Sequence, residues 1–203
     1  MILNCVLKKR LVVAVDSTGV KVSHRGEWRR ARQGRKRHGW IKLHVCVDGK
    51  TKQVLGFRIT GEHAHDSEMF IPLLKQIADR LGANRIEKVL GDRGYDSKPN
   101  YNYAEKRGIV PTIRPRDNAN PKKEQPLTRK RLVKAIARHS YRKWARKAKY
   151  GLRWAVEGFF STFKRLYGES LKATSPLGML KELIMKLHFY NKLITYKGPS
   201  TSR

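Results

Sequence analysis

Acidic residues are scarce in this chain: its 203 residues carry 16 Asp and Glu against 46 Lys and Arg, a formal net charge of +30. A balance that positive repels itself unless a polyanion or concentrated counterions lie close by, so nucleic acid is the natural partner class. Cysteine is nearly missing. Cys5 and Cys46 lack the paired spacing of a zinc site or a disulfide framework, and they read as buried or incidental thiols in a reducing compartment. Long apolar runs are missing too, since none approaches the roughly 20 residues that span a bilayer. The segment Met1 to Val15 is interrupted by Lys8, Lys9 and Arg10 and has no small-residue cleavage site. No membrane partner is expected, and the expected location is the cytoplasm, on the nucleoid in a prokaryote.

What is present in quantity is cationic and clustered. One block runs from Lys21 to Lys42 and includes Arg25, Arg29, Arg30, Arg32, Arg35, Lys36 and Arg37. A second, from Arg114 to Lys149, includes Arg142 and Lys143. Trp28, Trp40, Tyr141, Trp144 and Tyr150 are interleaved with these charges, a mixture that suits phosphates together with exposed bases or sugars. Such blocks also occur as plain solvated faces or as RNA-binding extensions, so composition alone leaves a basic RNA-associated protein open.

The patterning predicts one mixed α/β domain over residues 1–203. Leu11 to Asp16 is a short β-rich run. Ile41 to Val47 and Gln53 to Ile59 flank Asp48-Gly49 as a hairpin. From Ser67, apolar residues Phe70, Leu73, Leu74, Ile77 and Leu81 recur at helical spacing, with Asp66 or Ser67 as the cap. Ile86 to Leu90 reads as a further strand, Lys98 to Arg107 as a short helix with Asp96 and Ser97 as its cap, and Ile109 to Ile113 as an edge strand bearing Pro111. Residues 114–129, rich in Pro, Asn and Arg, read as a flexible basic loop. Helix is expected from about Lys130 to Leu166 and again after Ser175-Pro176.

At about 100° per helical residue, Tyr150, Arg153, Glu157 and Lys164 fall within roughly 60° of one another on one helix face. Leu152, Ala155, Phe159, Phe163 and Leu166 form a separate apolar stripe suited to docking on a core. The spacing of these four polar residues resembles the Tyr-Arg-Glu-Lys signature of insertion-sequence DDE transposases of groups four and five. Two upstream stretches, Val13 to Thr18 around Asp16 and Leu90 to Ser97 around Asp92, resemble that family's two aspartate motifs in the expected order.

The resemblance implies a ribonuclease-H-like fold with a five-stranded central sheet flanked by helices. It implies metal-dependent phosphodiester cleavage and strand transfer at transposon ends, with Asp16, Asp92 and Glu157 as catalytic and metal-binding residues. Two Mg2+ or Mn2+ ions are the expected cofactors, since hard cations take carboxylate oxygens. Tyr150, Arg153 and Lys164 are the expected phosphate holders, joined by Arg29, Arg30, Arg35, Lys36, Arg37, Arg142 and Lys143 from the basic blocks. DNA, both transposon ends and target, is the implied partner.

Relatives carry an N-terminal DNA-binding region, often helix-turn-helix, whereas here the first aspartate stands at position 16. The expectation is therefore a catalytic domain acting as a homodimer or with an upstream-frame product. The rival reading is a truncated, non-cutting DNA-binding product that modulates a full-length transposase. The cluster His63, His65, Asp66 and Glu68 is a weaker metal-binding candidate, read mainly as the turn into the following helix.

Overall fold

The computed structural model describes residues 10–22, 39–120 and 124–196. Six strands form one mixed sheet: β1 (Leu11–Val22), β2 (Trp40–Asp48), β3 (Val54–Gly61), β4 (Ile86–Gly91), β5 (Val110–Ile113) and the short β6 (Ser170–Leu171). The order is β3-β2-β1-β4-β5, with β6 paired to the far end of β1. The first three strands are antiparallel, β1 and β4 run parallel, and β4 and β5 run parallel. This is the ribonuclease-H-like arrangement anticipated, enlarged by β6 and by a first strand that continues past Asp16 to Val22.

Why β1 reads as an unbroken apolar run follows from its place in the middle. Both faces of the sheet are covered, so alternate residues of Leu11 to Val15 enter different cores. Val13 and Val15 pack with Cys46, Val89 and Ile113 against α1 (Asp66–Leu81) and α2 (Lys98–Lys106) through Phe70, Leu73, Ile77 and Tyr101. Ala14 packs on the other face with Val45, Val47 and Leu90. That face is closed by α5 (Trp154–Tyr167) and α6 (Pro176–Tyr196), through Val156, Phe159, Phe163, Leu183, Leu187 and Tyr190. The hairpin turn forms as expected, with Asp48 accepting from both the backbone N–H and the hydroxyl of Thr51.

The region between β5 and α5 differs from the single long helix expected. It is divided into α3 (Leu127–His139), α4 (Tyr141–Lys147), a 3-10 turn (Tyr150–Arg153) and α5. Two non-glycine residues in the left-handed region make the breaks, Ser140 at φ 72° and Lys149 at φ 53°. Helical periodicity survives such single-residue breaks, which is why the sequence pattern hides them.

Asp96 also differs from the helix cap expected. Its side chain is wholly buried and accepts from Arg129 Nε at 2.7 Å and Nη2 at 2.8 Å, and from the Arg116 backbone N–H at 2.9 Å. Arg129 is therefore part of the first turn of α3 and anchors that helix beside the 3-10 turn Arg93–Tyr95, rather than belonging to a free basic loop. Removing one partner of a buried ion pair leaves the other charge desolvated. Asp96→Ala is expected to cost about 3 kcal/mol, roughly 6–12 °C in Tm by thermal denaturation; an unchanged melting curve would show that α3 is held by other contacts.

Candidate active site

Three features of the sheet converge on one edge. In the β1–β4 pairing Ala14 stands opposite Leu90, and two residues further along each chain the same register brings Asp16 level with Asp92. Asp92 lies just past the end of β4, and its charge is felt by the Asp16 carboxyl. Alternation decides where they point: Ala14 and Leu90 belong to the face covered by α5, and Asp16 and Asp92 share that parity. Helix α5 brings Glu157 to the same face in its first turn, where a carboxylate also favours the helix N-terminus.

Each carboxylate is oriented by the local backbone. Asp16 Oδ1 accepts from the Ser17 N–H at 2.8 Å. Asp92 Oδ1 accepts from the Gly94 N–H at 2.8 Å, closing a tight turn. A Cβ at residue 94 would stand 2.9 Å from Asp92 Oδ1, so a larger residue there would shift that carboxylate from its present position. Arg153 spans the remaining gap: its Nη1 lies 3.4 Å from Asp16 Oδ2 while its Nη2 donates to Glu157 Oε1. One guanidinium thus ties the first acid to the third.

Burial pushes the Asp16 carboxyl up to about 6, the nearby Asp92 and Asp66 charges adding to the shift, while the Ser17 N–H and Arg153 oppose it. A carboxylate that stays this costly to ionise, beside a second one, is a place that favours a cation. The donors are all hard oxygens, which suits Mg2+ or Mn2+. Among the described residues, however, no three His, Cys, Asp or Glu side chains stand close enough together to hold a metal ion. The Arg153 guanidinium lies between Asp16 and Glu157 and contacts both. The cluster His63, His65, Asp66 and Glu68 forms no metal group either; His63 is exposed and pairs with Glu62.

The model of the transposase DDE domain matches residues 7–192 of this chain. The chain belongs to that family. Among solved structures it is similar to a Mos1 transposase paired-end complex with left transposon end, at 11% identity and TM-score 0.49, over 93% of this chain and 52% of that one. It is also similar to a pre-cleavage Mos1 transpososome, at 12% identity and TM-score 0.35, over 91% of this chain and 56% of that one. The DDE domain described here spans about half the length of those chains.

In this DDE domain Tyr150, Arg153, Glu157 and Lys164, expected on one helix, do not share one. Tyr150 and Arg153 lie on the 3-10 turn, and Glu157 and Lys164 on α5. Tyr150 is buried and its hydroxyl donates to the Gly91 carbonyl at 2.9 Å, immediately before Asp92. That placement differs from the phosphate-holding role expected of it, because its one donor is already used in supporting the strand that delivers Asp92. Lys164 stands about two turns from Glu157 and pairs with Glu169 at 3.5 Å. Leu166, assigned to the apolar stripe, is 46% exposed, and Val156 takes its place in the core.

Arg142 and Lys143 are exposed on α4. Beside them a cleft of about 540 Å3 is lined by Arg131, Lys134, Arg138, His139, Lys143 and Lys147, with Trp144 in its wall. Trp144, Tyr141 and Tyr150 pack on one another, with centroids 5.2 to 6.3 Å apart, so these rings are engaged with each other. Arg29, Arg30, Arg35, Lys36 and Arg37 lie outside the described residues.

Asp66 is the residue whose place the sequence pattern misjudged. His65 holds the N-cap position of α1 without a side-chain capping bond. The Asp66 carboxylate instead accepts from Ser17 Oγ at 2.9 Å and Lys42 Nζ at 3.2 Å. The signal available was the alternation itself, which turns Ser17 toward α1.

The raised Asp16 pKa has a definite sign. With a folded value near 6 against about 3.9 for a free aspartate, the folded state binds the proton more tightly. Stability is therefore highest below about pH 4 with respect to this group and falls as pH rises through 6. In chelator at pH 7.5, Asp16→Asn is expected to stabilise the fold by about 2 kcal/mol, roughly 4–8 °C, with the gain vanishing near pH 4; thermal melts across that range measure it, and no gain at pH 7.5 would contradict the burial of this charge.

Proposed function

We propose that this chain is the catalytic domain of an insertion-sequence transposase bearing the Tyr-Arg-Glu-Lys signature, which cleaves DNA phosphodiesters at element ends and transfers the freed strand. The observation that supports the reading is the approach of three acids distant in sequence: Asp16 on β1, Asp92 just past the end of the neighbouring parallel strand β4 and close enough to act on the Asp16 charge, and Glu157 linked to Asp16 through Arg153. Asp16, Asp92 and Glu157 would hold divalent metal, for which their hard carboxylate oxygens are suited. When bound, such ions supply a nucleophile at neutral pH and charge neutralisation on the leaving oxygen.

The chain's own groups do the rest. The Ser17 and Gly94 amides aim the two aspartates, and Tyr150 fixes the end of β4 through Gly91. Arg153 neutralises Asp16 and Glu157 until the backbone of the nucleic acid offers its guanidinium a phosphate, for which its planar fork is suited. Lys164 adds a point charge further along α5. Exposed Arg142 and Lys143, with the cationic cleft beside them, hold flanking backbone through charge, without reading sequence.

Supercoiled plasmid nicking with Mn2+ tests the activity. Wild type is expected to give nicked and linear product, and Asp92→Asn and Glu157→Gln to fall to background while still binding DNA. Equal inactivity of wild type and variants would leave a DNA-binding protein that does not cut. A second measurement addresses the backbone contacts. Replacing Arg142 and Lys143 together by Ala should weaken duplex affinity at low salt and reduce the slope of log K against log salt by about 2; an unchanged slope would remove α4 from the DNA path.

A further inference from the structure

The sheet edge that carries Asp16 is held from both faces, and only one of those holds involves the three acids. On the α5 face lies the pair Arg153 and Glu157. On the opposite face Ser17, one residue on and of opposite parity, turns its hydroxyl to Asp66 at the start of α1, at 2.9 Å. Ser17 is therefore bound at two points: its backbone N–H donates to Asp16 Oδ1 at 2.8 Å and its hydroxyl donates to Asp66 Oδ1. The orientation of the Asp16 carboxylate depends on where Ser17 sits, and Ser17 is tethered by Asp66.

Asp66 is itself fixed more firmly than a helix-start carboxylate needs to be. Lys42 Nζ lies 3.2 Å from its Oδ1 and also donates to the Ala64 carbonyl at 2.9 Å. His44 is fully buried beneath, Nε2 bonded to Thr60 Oγ1 at 2.8 Å and Nδ1 3.7 Å from Asp66 Oδ1. Burial lowers the His44 pKa, keeping the ring neutral, so Lys42 is the cation that balances Asp66. Among the described residues the buried Tyr95 hydroxyl finds no hydrogen-bond partner, and it lies within the field of Asp16, Asp66 and Asp92 together.

We infer that Asp66 is a positioning residue for Asp16, acting through the Ser17 hydroxyl from the face opposite Glu157. The inference rests on the proposed function, in which Asp16 holds a divalent ion. Outer partners of metal-binding carboxylates set the direction in which the ligand oxygens point, and their loss weakens binding about 10–100-fold.

The test is a binding measurement on the full chain, with Mn2+ as probe followed by electron paramagnetic resonance, and circular dichroism to confirm that each variant is folded. Asp66→Ala and Ser17→Ala are each expected to weaken Mn2+ binding about 10-fold. The double variant should be no worse than either single one, since both break the same tether. Ser17→Thr, which keeps a hydroxyl, should restore binding to within about 2-fold of wild type.

Folded variants that bind Mn2+ as wild type does would overturn the inference and leave Asp66 a purely structural residue. Losses that multiply in the double variant would overturn the route through Ser17. Asp92→Asn separates the two levels of the argument. If it abolishes Mn2+ binding while Asp66→Ala does not weaken it, only the positioning role fails; if it binds Mn2+ as wild type does, the metal-site reading fails and takes the inference with it.

Discussion

The parallel pairing of β1 with β4 is the constraint on which this molecule depends. It brings two aspartates 76 positions apart in the chain, Asp16 on β1 and Asp92 just past the end of β4, into one region at the middle of the sheet. Parallel neighbours require a long crossover, here the β2–β3 hairpin and α1, and the crossover buries one face of the sheet while leaving the acid-bearing end open. A slip of one residue between β1 and its neighbours would turn Asp16 toward α1 and Ser17 toward α5. Val13 and Val15, fully buried in one core, and Ala14, fully buried in the other, resist that slip.

Charge at the edge works against the fold and is balanced locally. Asp16 is expensive to ionise where it sits, and Arg153 offsets part of that cost by bridging it to Glu157. In the proposed function one cation would be exchanged for another, because the carboxylates that hold the guanidinium also suit a hard metal ion. A site arranged for a charged ligand is less stable without it, which is the usual relation between function and stability.

The positive surplus elsewhere is less specific. The cleft between α3 and α4 offers cations to a polyanion, while the neighbouring aromatic rings pack among themselves. On the proposed reading, sequence-independent, salt-sensitive affinity would follow from that arrangement. The ion pair of Asp96 and Arg129 shows the opposite use of charge, a buried contact that seats α3 on the body of the domain.

Much of the fold was legible along the chain. The strands around Ile41 to Ile59 and Ile86 to Leu90, the helix from residue 66 to Leu81, and the last helix after Pro176 follow from periodicity, turn residues and capping, all of which are local physics. The acids were legible too, as residue types at recognisable spacings. Tertiary structure decided the rest. Ser140 and Lys149 break one periodic stretch into separate helices through backbone angles that side-chain patterning does not encode. Tyr150 became a buried strap on Gly91, Asp96 a buried ion-pair partner, and Asp66 a tether for Ser17, because each depends on what another element carries to within about 3 Å. The chain alone determined which segments are strands and helices and which residues can carry charge; only packing decided which of those charges meet, since a contact between distant residues is a property of the assembled sheet and has no periodicity to read.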